Sequence, residues 1–149
     1  MLFVSTTRIS ASAEAVFDWH EALGAFERLT PPWERVRMVR HKGGIRDGAR
    51  VSLRVGPPLV FFRWDLEHVD YQHGRSFMDR QVRGPFHSWT HVRRMTTDGL
   101  DACILEDAIE YELPFGAVGR VLGRLFVEWK LKRLFEFRHK VTRRALEPR

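Results

Sequence analysis

The sequence predicts an α+β fold: an antiparallel sheet of about seven strands wrapped around a long C-terminal helix, with two short helices after the first strand. Three observations carry this. Residues 34–112 hold β-branched and aromatic runs separated by turn signals, with no long helical segment among them. Asp98-Gly99 stands between two such runs as a hairpin dipeptide. From Phe115 onward the apolar residues recur at helical spacing. A curved sheet of this kind must hide its concave face against the one helix available, which tends to leave a cavity between them.

The elements follow in order. Leu2 to Ile9 (LFVSTTRI) has the composition of a strand. Ser10 or Ser12 starts a helix, with Glu14 in its first turn and Val16/Phe17 behind. A break near Gly24 gives two short helices, about 12–20 and 22–29, ended by Pro31-Pro32. Val36 and Met38 alternate in the next strand, and strands over 49–55 and 59–69 follow a glycine-rich loop. Three more run at about 75–82, 86–96 and 101–112, turning at Gly84-Pro85 and Asp98-Gly99. Pro114 closes the sheet. In the tail helix Val127, Leu131, Leu134 and Val141 share a face, flanked by Phe126 and Phe137. Before Gly123 the apolar face is rotated, with Val118, Leu122 and Leu125 in line. A change of direction is therefore expected near Gly119–Gly123, where glycine also permits close backbone approach.

A chain of 149 residues, 44% hydrophobic and 12% aromatic, fits one domain over 1–149 with a real core. Cys103 is the only cysteine, which excludes an intramolecular disulfide and a cysteine-based zinc site and fits a reducing cytoplasm. The N-terminus lacks the pattern of a signal peptide, and no apolar run approaches the ~20 residues of a membrane span. Net charge is +6 and uneven. Residues 120–149 carry 10 Lys/Arg and 3 Asp/Glu, a net of +7, which leaves −1 for residues 1–119. Lys132, Arg133, Lys140, Arg143 and Arg144 are expected on a solvent face, either merely solvated or open to an anionic partner.

Alternation assigns the inward faces of the last three strands: Phe77, Asp79 and Gln81; then His87, Trp89, His91, Arg93 and Met95; then Asp101, Cys103, Leu105, Asp107, Ile109 and Tyr111. A tight turn centred on Gly84 pairs Gln81 with His87, Asp79 with Trp89 and Phe77 with His91. A turn near Asp98-Gly99 sets His91 near Leu105 and Trp89 near Asp107. His91 then lies diagonal to both Asp79 and Asp107, within side-chain reach. Trp64, Phe77, Gln81, His87, Trp89, Arg93 and Tyr111 become candidate ligand-binding residues of an apolar cavity, with His91, Asp79 and Asp107 as its polar spot. The same three residues also read as a satisfied buried network with no ligand.

Five stretches carry a resemblance: AVFDWHEALGAFERLTPPW (15–33), DGARV (47–51), FMDRQVRGPFHSWTHVR (77–93), LEDAIEYELPFGAVGR (105–120) and LFEFRHK (134–140). In them the chain resembles the START-like, polyketide-cyclase superfamily (SRPBCC) with its helix-grip fold, in particular a bacterial subgroup found alone or fused to an epimerase-like NAD-binding domain. The resemblance spans nearly the whole chain. It implies a cavity for a lipid, polyketide or aromatic ligand, and it supplies no settled catalytic residue, since the superfamily holds cyclases, carriers and pure binding proteins.

No cofactor is expected: there is no Gly-x-Gly-x-x-Gly for NAD. His87 and His91 on one strand face would stand ~13 Å apart, too far for one metal ion. Cys103 has no visible activator and no serine sits in a nucleophile elbow. An imidazole oriented by carboxylates can move a proton near neutral pH, so a cyclase or dehydratase using His91 with Asp79 and Asp107 is the enzymatic alternative. Nucleic acid is disfavoured by the lack of any RNP-like strand or zinc finger. The basic C-terminal helix leaves an anionic membrane surface, without an integral segment, as a further partner.

Overall fold

The computed structural model of the chain describes residues 1–148. Its elements are β1 (Leu2–Ile9), α1 (Ala13–Glu21), α2 (Ala25–Arg28), β2 (Val36–Lys42), β3 (Arg50–Val55), β4 (Phe62–Gln72), β5 (Ser76–Arg83), β6 (Ser88–Thr97), β7 (Cys103–Glu112) and α3 (Ala117–Leu146). The seven strands form one sheet in the order β1-β7-β6-β5-β4-β3-β2, every neighbouring pair antiparallel. This is the α+β helix-grip arrangement that the sequence implied.

Local chemistry explains the boundaries. Ser12 caps α1, its hydroxyl accepting from the Ala15 amide at 3.1 Å. Gly24, at φ 79°, breaks the helical segment, so α2 is reduced to Ala25–Arg28. Leu59–Phe61 belong to a loop led by Gly56 and two prolines, and β4 starts three residues later than the spacing suggested.

Alternation holds where it was expected. Cys103, Leu105, Asp107, Ile109 and Tyr111 are buried, as are Trp89, His91, Arg93, Met95 and Phe77. Both hairpin registers differ from the expectation. Residues 84–87 make a longer loop than a tight turn, so Asp79 pairs with His91 and Phe77 with Arg93, a shift of two. Residues 98–102 likewise span a wider loop, so Trp89 pairs with Tyr111, His91 with Ile109 and Arg93 with Asp107, a shift of four. Side chains alternate with period two, so even shifts leave every face unchanged. Asp101 and His87, expected inside, fall in the loops and are exposed.

The core has two apolar clusters. Ile9, Val16, Phe17, Phe77, Met95, Cys103 and Leu105 pack between α1 and the sheet. Trp89, Ile109, Tyr111, Leu113, Leu131 and Phe135 pack between the sheet and α3. Helix α3 runs unbroken through Gly119 and Gly123, contrary to the expected change of direction. Its rotated apolar segment stays in solvent instead. The stripe against the sheet is centred on Leu131, Phe135, His139 and Thr142, with Val127, Leu134 and Val141 half-buried beside it and Phe126 exposed. Counting only apolar residues misplaced this stripe, because two of its central members are polar. Lys132, Arg133, Lys140, Arg143 and Arg144 are all exposed. No helix among the described residues is long and apolar enough to cross a membrane.

Candidate functional site

Between the two apolar clusters lies a buried polar network built from five elements, β1, β5, β6, β7 and α3. His91 on β6 stands between two carboxylates: its Nδ1 is 3.2 Å from Asp79 Oδ1 on β5, and its Nε2 is 2.6 Å from Asp107 Oδ1 on β7. Arg93, two residues along β6, donates Nε–H to the same Asp107 oxygen at 2.7 Å. His139 on α3 donates Nε2–H to the other oxygen of Asp107 at 2.8 Å, and its Nδ1 lies 2.7 Å from Thr7 Oγ1 on β1. Even shifts kept the three residues on one face, and the slips were small enough that His91 still meets both aspartates: Asp79 directly opposite, Asp107 on the other diagonal.

The charges are mutually held. Burial alone would push the Asp107 carboxyl up, yet the Arg93 guanidinium and the donors of His139 and His91 hold it well below the usual carboxylate range. Burial pulls His91 down, and the hydrogen bonds to Asp107 and Asp79 overcome this and raise it. The Asp79 carboxyl falls for the same reason, its bond to His91 outweighing burial. His91 is thus favoured as an imidazolium donating both N–H groups. Close by on α1, His20 goes the other way: burial, then the Arg93 charge, take it from 6.5 down to about 3, and its Nδ1–H donates to Val16 O at 2.7 Å.

Toward the end of the sheet where β7 leads into α3, four aromatic rings pack together, some edge on face and some tilted. Trp64 and Trp89 have centroids 4.9 Å apart, Phe86 and Trp89 4.8 Å, and Phe86 and Tyr111 5.7 Å. Among the described residues, the buried Trp64 Nε1 and Tyr111 hydroxyl have no hydrogen-bond partner. Tyr111 is only 1% exposed. Burial, then the nearby Glu128 charge on α3, raise its hydroxyl above the ordinary range. Glu128 itself pairs with Arg124 at 2.7 Å.

The candidate residues divide between these places. Trp64, Trp89 and Tyr111 share the aromatic cluster, while Phe77 belongs to the cluster beneath α1. Arg93 sits in the charge network and over the Phe77 ring, 5.5 Å from its centroid. Gln81 braces the 84–87 loop, donating to Phe86 O at 2.8 Å and accepting from the Phe86 amide. His87 is outside, 3.9 Å from Glu112. Sequence reasoning missed Phe86, which turns inward from the loop, and His139, which completes the network. The stretch LFEFRHK held the signal for His139: it lies four and eight residues beyond Phe135 and Leu131, on the same helical face.

Two grooves open elsewhere. One of about 870 Å³ runs between β1 and the end of α3, along Ser5, Thr7, Glu136, His139, Lys140 and Arg143. The other, about 190 Å³, lies among Trp33, Glu34, Trp129, Lys130 and Arg133. Neither is bounded by Trp64, Trp89 or Tyr111, whose rings pack against one another.

A domain of unknown function, DUF8410, matches residues 7–146. No curated protein sequence matches. Similar solved structures include the di-domain ARO/CYC StfQ from the steffimycin biosynthetic pathway, with a TM-score of 0.78 and 13% identity over 98% of this chain and 50% of that one. Norcoclaurine synthase from Thalictrum flavum, in complex with dopamine and hydroxybenzaldehyde, superposes with a TM-score of 0.72 at 12% identity, covering 100% of this chain and 88% of the enzyme. A START superfamily protein from Mycobacterium smegmatis gives 0.66 at 13% identity, with 98% and 97% covered. At these identities the likeness is one of fold, and the START-like, polyketide-cyclase-like resemblance holds at that level.

Proposed function

The chain belongs to the DUF8410 family, and we propose that it binds a small hydrophobic ligand, aromatic or polyketide-like, between the aromatic end of its sheet and the first half of α3. The observation that carries this reading is the pair of buried, unpartnered polar atoms at that end, Trp64 Nε1 and Tyr111 Oη. A buried donor without an acceptor costs stability, and a ligand carbonyl or hydroxyl would satisfy both within a wall of rings. The helix above is poorly anchored: no residue of α3 before Leu131 is fully buried, so its first turns can yield to a ligand while Leu131, Phe135 and His139 hold the remainder. Similarity to a synthase solved with two small aromatic compounds, and to an ARO/CYC protein, agrees with this ligand class.

The enzymatic alternative, with His91 as general acid–base, is less well supported. Both ring nitrogens of His91 are committed to carboxylates, and the residue is 7% exposed. No free nitrogen faces a substrate, and the network reads as a post joining sheet to helix.

Fluorescence titration with the apolar probe 1-anilinonaphthalene-8-sulfonate tests the binding reading, backed by native mass spectrometry of freshly purified protein for a retained small molecule. Tyr111→Phe should weaken binding by about 1 kcal/mol, because it removes one hydrogen bond and no ring. Saturable binding that ignores both Tyr111→Phe and Trp64→Phe would place the ligand elsewhere. No uptake of the probe and no retained molecule would remove the reading.

A further inference from the structure

The outward face of α3 is divided along its length. At about 100° per residue, Val118, Val121, Leu122, Leu125, Phe126 and Trp129 fall in one sector, roughly 120° round from the stripe that meets the sheet. All six are exposed, from 53% at Trp129 to 77% at Val118. The same sector continues toward the C-terminus as Lys132, Arg133, Lys140, Arg143 and Arg144, with Glu136 as the acid among them. One straight face is therefore apolar in its first half and cationic in its second. The β3–β4 loop exposes further apolar side chains at the same end of the sheet. Its flanks, Val55 and Phe62, are paired at the end of the sheet where Glu112 leads into α3, and at its tip Leu59 is 95% and Val60 76% exposed.

We propose that this face docks on an anionic lipid bilayer. Leu59, Val60 and the apolar half of α3 enter the interfacial region, with Trp129 and Phe126 at headgroup level, and the cationic half lies on the charged headgroups. An apolar patch of this extent marks a docking surface, and the arrangement of charge chooses the partner. Two copies aligned in parallel along this face would stack cation on cation; aligned antiparallel, each would lay its cations on the other's apolar side chains. A bilayer with anionic headgroups offers both halves what they lack. The proposal rests on the outward face of α3, and the ligand reading rests on the inward one, so either can fail alone.

The test is cosedimentation of the full chain with phosphatidylcholine vesicles, with and without phosphatidylglycerol. Binding is expected to the phosphatidylglycerol vesicles and to weaken as salt is raised. Leu125→Glu with Phe126→Glu should lower the partition coefficient on the order of tenfold or more, as should Lys140→Glu with Arg144→Glu. These positions are exposed, so circular dichroism should show native melting. If the α3 double variant does not fold, Val60→Glu in the loop decides, with a fall in partitioning expected. The proposal is overturned by failure to bind either vesicle, by binding that is blind to the apolar substitutions, or by a concentration-dependent dimer in sedimentation velocity that Leu125→Glu/Phe126→Glu dissolves.

Discussion

Asp107 on β7 accepts from His139 on α3 at 2.8 Å, and this bond joins the charge inside the sheet to the helix that covers it. Removing the charge leaves Arg93 and His91 as buried cations with one carboxylate fewer between them. Breaking such a set from one side costs about 3–5 kcal/mol. Asp107→Asn should therefore lower the unfolding free energy measured in urea by that amount, whereas Thr7→Val, which removes only the outermost contact, should cost about 1 kcal/mol. Equal, small losses for both variants would show that the network contributes little.

His20 and His91 give the stability opposite slopes with pH. The folded pKa of His20 is depressed from 6.5 to about 3, so the unfolded chain takes up a proton first as pH falls, and stability is lost from about pH 6.5 downward. The limit for one proton is about 1.4 kcal/mol per pH unit. His91 is raised, so its contribution is complete below 6.5 and is lost as pH rises through its folded value. Asp107 is depressed, so its contribution is lost only in acid, below its ordinary value of 3.8. His20→Gln keeps a donor for Val16 O and should flatten the curve between pH 6.5 and 4, while His91→Gln should flatten it above 6.5. Chemical denaturation across this range, with wild-type slopes in both variants, would refute the assignment.

Trp89 is 8% exposed and meets three other rings. Trp89→Ala should cost about 3–5 kcal/mol as a packed core residue. A loss well under this range in thermal unfolding would mean that the ring lines open space.

Gly84 is required by space and not by backbone conformation. A Cβ there would meet Trp64 Cδ1 and the Gln81 amide far inside contact distance. Gly84→Ala should cost about 1–3 kcal/mol by pushing Trp64 off its neighbours, seen as a lower melting temperature with a change in tryptophan fluorescence. An unchanged spectrum would contradict this packing.

The faces of the strands were legible in the sequence because they rest on parity, which survives an even slip of register, and the meeting of Asp79, His91 and Asp107 survived because the slips left both aspartates within reach of His91. Loop length was not legible: Gly84-Pro85 and Asp98-Gly99 mark where the chain turns, not how many residues it uses. The inward stripe of α3 was missed because His139 and Thr142 are polar, and their burial depends on Asp107, Thr7 and the Arg138 carbonyl. The fate of the rotated segment from Val118 to Trp129 was hidden for another reason. Helical periodicity says that a face is apolar, and it does not say whether anything covers it.

The pairing of β1 with β7 sets an order on biosynthesis. Leu2 pairs across to Glu110 and Ile9 to Cys103, so β1 must wait for β7, made some hundred residues later. The hairpins from β2 to β7 close over short loops and can form as they leave the ribosome, whereas β1 joins two distant parts of the chain and must overcome a large closure entropy. Until α3 follows, the interior of the sheet, with its aspartates and histidines, stays wet. β1 therefore stays unpaired until β7 has been made, which leaves the backbone groups of Leu2–Ile9 open to other strands over that interval.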